Sequence, residues 1–129
     1  MNIPQEFQLS AREIVAEVLG EDVDDVHLES NFFHDLGGES IDVLDLGFHL
    51  EKRLSARTNF QQMLSPDRWQ FNDDRQLTAE SIQRLKDEFP YVELPADIES
   101  FDLRDIFTVA FITETAHRAA TSSAERKSA

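Results

Sequence analysis

The stretch Phe32-Phe33-His34-Asp35-Leu36-Gly37-Gly38-Glu39-Ser40-Ile41-Asp42-Val43-Leu44-Asp45-Leu46 changes character at its centre. Two glycines turn the chain, and the serine that follows opens a helix predicted to run from Ser40 to about Leu54. A helix N-terminus offers free amides and a partial positive charge, so a phosphate esterified to Ser40 would be favourably placed. Gly37 and Gly38 remove side-chain bulk beside that hydroxyl, leaving it open to another protein's active site. The plainer reading makes Ser40 an ordinary N-cap and the glycines its turn.

The helix after Ser40 weighs against the plainer reading. At about 100° per residue, Val43, Leu46, Leu50 and Leu54 share one stripe, with Gly47 beside them. Ile41, Leu44 and Phe48 fall on nearly the opposite side. One apolar stripe serves a core, and a helix of this length has no ordinary need for a second. Asp45 and Glu51 border the second stripe, and Glu39 and Asp42 flank Ser40, so the strip reads as a docking surface for a basic groove. The alternative is that residues 57–90 cover it. His49 lies four residues after Asp45 and reads as its surface ion-pair partner. Gly47 either leaves room for a bound chain or allows close helix packing.

Upstream, Ile14, Val15, Val18 and Leu19 recur at helical spacing, with Ser10-Ala-Arg-Glu13 as a capping box and Gly20 as the stop. Residues 21–39 form a long acidic connection with apolar pegs at Val23, Val26, Leu28, Phe32 and Phe33, a length more often functional than ornamental. Downstream, residues 57–76 read as irregular but carry Phe60, Met63, Leu64, Trp69 and Phe71. Thr78 caps a helix to Phe89, residues 95–99 suit one short helical turn, and Asp102 caps a strong helix to about Ala119. Residues 121–129 have nothing to bury and are expected to be a disordered tail.

The 129 residues include 12 basic and 26 acidic side chains, for a net charge of −14, and the mean hydropathy is −0.43. One modest core in a single domain over residues 1–120 fits that length. Four glycines and four prolines are too few for a β-sandwich or barrel. No apolar run is long enough for a membrane span, and Met1-Asn-Ile-Pro lacks the features of a secretory signal. The charge opposes nucleic acid and anionic membranes and favours partners with basic faces. The absence of cysteine excludes disulfides and suits a cytoplasmic setting. It also means that any thiol chemistry must come from a group attached to the chain.

Asp35-Leu-Gly-Gly-Glu-Ser-Ile-Asp42, with Ser30-Asn-Phe-Phe33 before it and the acidic helix after it, resembles the Asp-Ser-Leu region of acyl carrier proteins. The resemblance covers residues 10–55 well and 93–119 more loosely, and it leaves out 57–90. It implies an all-α, acyl-carrier-like four-helix bundle with a long loop between helices I and II, here with 57–90 as an extra helical insertion. Ser40 matches the serine that accepts 4′-phosphopantetheine from coenzyme A through a carrier-protein synthase (a phosphopantetheinyl transferase). The thiol of that arm would hold acyl intermediates as thioesters for fatty-acid, lipid or secondary-metabolite synthesis. Glu39, Ile41, Asp42, Leu44, Asp45 and Phe48 match partner-facing positions, with acyl-loading and acyl-transfer enzymes as partners of a monomeric, non-catalytic carrier.

Ile41 stands where leucine is usual, and Lys52-Arg53 replace expected acids. The insertion either widens a hydrophobic cavity and selects dedicated synthetases or simply enlarges the bundle. A serine hydrolase is disfavoured because Asp42 stands where Gly-x-Ser-x-Gly needs glycine, and His27, His34, His49 and His117 are scattered. A calcium loop at Asp22-Val-Asp24-Asp25 lacks its glycine and terminal glutamate. The remaining rival is a helical interaction module that keeps the fold without the prosthetic group. The acyl group and its pathway are not encoded in these patterns.

Overall fold

Phe7 sets the start of the first helix. Its ring packs edge-on against His117 at 5.0 Å, which carries helical structure back to Gln5, with Pro4 at the N-cap. The helix α1, Gln5–Leu19, therefore passes through Ser10. The capping box expected at Ser10 is not used, because tertiary burial of Phe7 outweighs the local capping signal. Gly20 ends α1 in the left-handed region at φ 68°.

The computed structural model describes residues 2–74, 76–94 and 102–128, and their regular structure is helical apart from two isolated bridges. After α1 come α2 (Ser40–Leu54), α3 (Phe60–Leu64), α4 (Ala79–Glu88) and α5 (Val109–Ser128), with short 3-10 turns at Val23–Asp25, Pro66–Arg68 and Leu103–Ile106. Helix α1 packs against α2 and α5, and α2 also contacts α3. The all-α carrier-like bundle expected from the sequence is the architecture found.

One core joins all these pieces. Ile14 and Val15 of α1, Val43, Leu46 and Leu50 of α2, and Val109 and Ile112 of α5 are buried together with Val26 and Phe32 of the connecting loop. The segment 57–90 shares this core through Phe60, Met63, Trp69, Leu77 and Leu85. Phe71 is the exception among its large apolar residues, at 40% exposed. Where the sequence reads as irregular over 57–76, Phe60–Leu64 form a short helix because Phe60 and Met63 face inward one turn apart. Thr78 caps α4 as expected, accepting a hydrogen bond from the Ser81 amide at 3.2 Å.

The last helix departs from expectation at both ends. Asp102 caps only the 3-10 turn, and the chain breaks at Phe107 before Thr108 caps α5, its hydroxyl accepting from the Phe111 amide at 3.1 Å. The break turns Phe107 inward, where its ring meets those of Phe32 at 5.4 Å, Phe33 at 5.5 Å and Phe60 at 5.0 Å. Helix α5 runs past Ala119, where the sequence expected it to end, to Ser128. No glycine or proline follows Ala119 to stop it, and its alanines, Glu125, Arg126 and Lys127 are good helix formers. The helical turn expected at 95–99 lies outside the described residues.

Candidate functional site

Asn31 fastens the loop that leads to Ser40. Its side-chain oxygen accepts from the amides of Phe33 and His34, both at 2.9 Å, and its side-chain nitrogen donates to the carbonyl of Arg104 at 2.9 Å. The Asn31 amide in turn donates to the Asp35 carboxylate at 2.7 Å. The Phe32 amide donates to the Phe107 carbonyl at 3.0 Å, and the first amides of α5, on Val109 and Ala110, donate to the carbonyls of Ser30 and Leu28. From the other side, Arg12 of α1 donates to the carbonyls of Val26 and Val23, at 2.7 and 3.1 Å. The pegs expected from the sequence are indeed packed down. Val26 and Phe32 are fully buried, and Val23, Leu28 and Phe33 lie partly buried against the core.

Two glycines bring this loop into α2 for different reasons. Gly37 adopts φ 72°, a left-handed conformation that other residues rarely take. Gly38 lies hard against Phe32: a Cβ there would fall within 3.0 Å of the buried ring and of the Phe32 carbonyl oxygen. The bulk missing at Gly38 thus serves inward packing, whereas the sequence suggested outward access.

Glu39, in an extended conformation, is the N-cap of α2, and the Asp42 carboxylate reaches back to accept from the Glu39 amide at 2.8 Å. Ser40 is therefore the first helical residue and not the N-cap, so the plainer reading of this serine does not hold. Its side chain is exposed, and among the described residues its hydroxyl has no hydrogen-bond partner and the amides of Ser40 and Ile41 have no backbone acceptor. His34, near Ser40 in sequence, places Nε2 2.7 Å from Asp105 Oδ1. Among the described residues no three His, Asp or Glu side chains gather as a metal site.

The second stripe of α2 is uncovered. Ile41, Leu44 and Phe48 are 67, 53 and 60% exposed, so residues 57–90 do not cap it. Glu39 and Asp45 are exposed beside it, while Asp42 is half-buried and engaged in the cap. Glu51, on the other edge, is bridged by Arg57 at 3.2 Å, and Lys52 lies 5.8 Å above the Phe48 ring. The expected His49–Asp45 pair is not formed; the His49 ring packs edge-on against Phe48 at 5.4 Å.

A groove follows the seam between α2 and α3. Its first part, about 240 Å³, begins at Ser40 and Val43 and is walled by Gln61, Leu64 and Ser65. The second part, about 400 Å³, shares Val43 and Gln61 with the first and extends past Gly47 and Phe48 to Thr58 and Phe60. A Cβ built on Gly47 would meet only Thr58 Oγ1, at 3.9 Å. Close helix packing therefore does not require a glycine at position 47.

Sequence reasoning missed Asn31 as the loop's fastener, although asparagine is a common Asx-turn former. It also missed Thr58 and Gln61 on the groove, for which the sequence holds no signal, because their place depends on how α3 docks.

An exposed serine with free amides thus stands at a helix start, at the end of a hydrogen-bonded loop. Residues 11–66 match the family model described as a phosphopantetheine attachment site. Over these residues the chain is similar to phosphopantetheine-binding carrier domains, which are non-catalytic and are the attachment site of covalent 4′-phosphopantetheine. The match takes in α3 and so enters the segment that the sequence read as an insertion. No solved structure matches the chain. The residues present fit the group: an unengaged hydroxyl for the ester, unpaired helix-start amides for its phosphate, and an adjoining groove. Among the described residues no helix is long and apolar enough to cross a membrane.

Proposed function

We propose that Ser40 is the acceptor of the phosphopantetheine arm and that the protein carries acyl intermediates between enzymes of fatty-acid, lipid or secondary-metabolite synthesis. The observation that carries this reading is the free Ser40 hydroxyl one residue inside the cap, where modification breaks no hydrogen bond. In the modification step the Ser40 oxygen attacks the coenzyme A phosphorus that bears pantetheine. The new P–O bond forms as the diphosphate bond breaks, 3′,5′-ADP leaves, and the serine proton passes to the transferase or to solvent. The amides of Ser40 and Ile41 then favour the phosphodiester charge at the helix start.

Once attached, the arm supplies a thiol able to hold an acyl group. The groove from Ser40 toward Gly47 is the bed for that cargo, and each buried methylene would gain about 0.8 kcal/mol. Ile41, Leu44 and Phe48, with Glu39, Asp42 and Asp45, form the face that a transferase and acyl-handling enzymes with basic surfaces would recognise. Asp42 serves this face with only part of its carboxylate, since the cap uses the rest.

Residues 1–120 act as one carrier domain, a cytoplasmic monomer, in which 57–90 both enlarges the core and supplies the α3 wall of the groove. The test is intact mass after incubation with coenzyme A and a broad-specificity transferase. A gain of one arm, absent in Ser40→Ala, supports the reading. A chain that stays bare leaves only an acidic helical interaction module.

A further inference from the structure

Charge changes sign along the uncovered face of α2. Asp45 and Lys52 are both exposed and lie two helical turns apart, about 10 Å along the axis. Among the described residues neither forms an ion pair. The other charges at the far end are engaged: Glu51 is bridged by Arg57 at 3.2 Å, and Arg53 turns to α1 and meets Glu17 at 2.6 Å. The helix dipole favours any cation in the last turn, and Arg53 meets that need away from the face. Lys52 instead holds Nζ 5.8 Å above the ring of Phe48, which is 60% exposed. The face thus begins acidic beside Ser40 and ends on a free cation resting on its one aromatic side chain.

We infer that this face docks a charge-divided protein surface, basic where it meets Asp45 and bearing a carboxylate that closes on Lys52. The inference deepens the proposed docking role of α2 and rests on the carrier reading of Ser40. A partner that covers Phe48 also takes the Lys52 ammonium out of water, which is costly unless a carboxylate pairs with it. A groove that is basic along its whole length sets like charges against each other at that point. Glu39, Asp42 and Asp45 alone would accept both kinds of surface. Lys52 is therefore the specificity-determining residue, because it turns uniformly basic surfaces away.

The experiment uses the full chain and three stapled helical peptides that share a leucine stripe and a first-turn lysine. Two turns after that lysine, matching the span from Asp45 to Lys52, they carry glutamate, glutamine or lysine. Binding is followed by the amide shifts of Leu44 and Phe48 near 0.15 M salt, where charges more than about 8 Å away are screened. The glutamate peptide binds the native protein about threefold more tightly than the glutamine peptide, as one exposed ion pair allows. The lysine peptide binds more weakly than either. Lys52→Gln, with unchanged melting temperature, binds the glutamate and glutamine peptides alike, and Lys52→Glu reverses the order. The inference is overturned if glutamate gives no advantage, as when Lys52 simply swings aside, or if the lysine peptide binds best. It is also overturned if Lys52→Gln keeps the preference or if the shifts lie away from α2. Docking needs no arm, so a chain left bare by coenzyme A and a transferase overturns the carrier reading separately, by mass.

Discussion

At the scale of single residues, the site depends on side chains that touch no ligand. Asn31 ties two loop amides to a carbonyl ahead of α5, and Gly38 lets the chain lie on Phe32. Asn31→Ala leaves these part-buried groups without their side-chain partner and should cost about 1–3 kcal/mol. Gly38→Ala forces a methyl group into a fully buried ring and should cost a similar ~1–3 kcal/mol. Both variants should also slow arming of Ser40, because the loop and the helix start move together. Thermal melts and an initial-rate arming assay check this, and full stability with a normal rate would refute the bracing role. The glycine pair was legible in the sequence as a turn, but its steric partner Phe32 was not, since that contact closes only when the loop folds back.

At the scale of elements, α2 was read to its ends, because an apolar stripe, a breaker before it and polar residues after it all agree. Helices α1 and α5 were misplaced at their N-termini: packing of Phe7 overrode the Ser10 capping signal, and the cap at Asp102 opens only a 3-10 turn that ends at Phe107. Helix α5 is also tied to the chain after α4. The Tyr91 hydroxyl lies 2.7 Å from Thr115 Oγ1, which itself donates to the Phe111 carbonyl, so Tyr91 is the donor. Burial pushes the Tyr91 phenol above its ordinary value of 10.0, against the lowering effect of the Arg118 charge. The folded state therefore holds this proton more tightly than the unfolded chain. Its contribution to stability is whole below about pH 10 and is lost as pH rises through the folded value. Urea denaturation from pH 8 to 11 should show that alkaline loss in the native protein and a smaller one in Tyr91→Phe. Equal slopes would contradict the assignment.

At the scale of the whole molecule, the proposed reading takes the net charge of −14 to favour partners with basic surfaces and the uncovered face of α2 to be where they dock. Asp45 tests this more cleanly than Asp42, whose carboxylate also caps the helix. Asp45→Lys should slow arming several-fold near 0.1 M salt, and the deficit should fade toward 1 M as the screening length drops from about 10 to about 3 Å. A salt-independent rate would move the docking face elsewhere. The sequence disclosed the class of fold, the serine and the exposed stripe because these are local patterns along one helix. The groove stayed hidden because its second wall, α3, comes from a segment without clear periodicity. The most direct measurement remains the intact mass of the protein after exposure to coenzyme A and a transferase. A single added phosphopantetheine, located at Ser40 by fragmentation and missing from a folded Ser40→Ala variant, is the predicted result. An unmodified chain, or an arm on any other residue, would contradict the account.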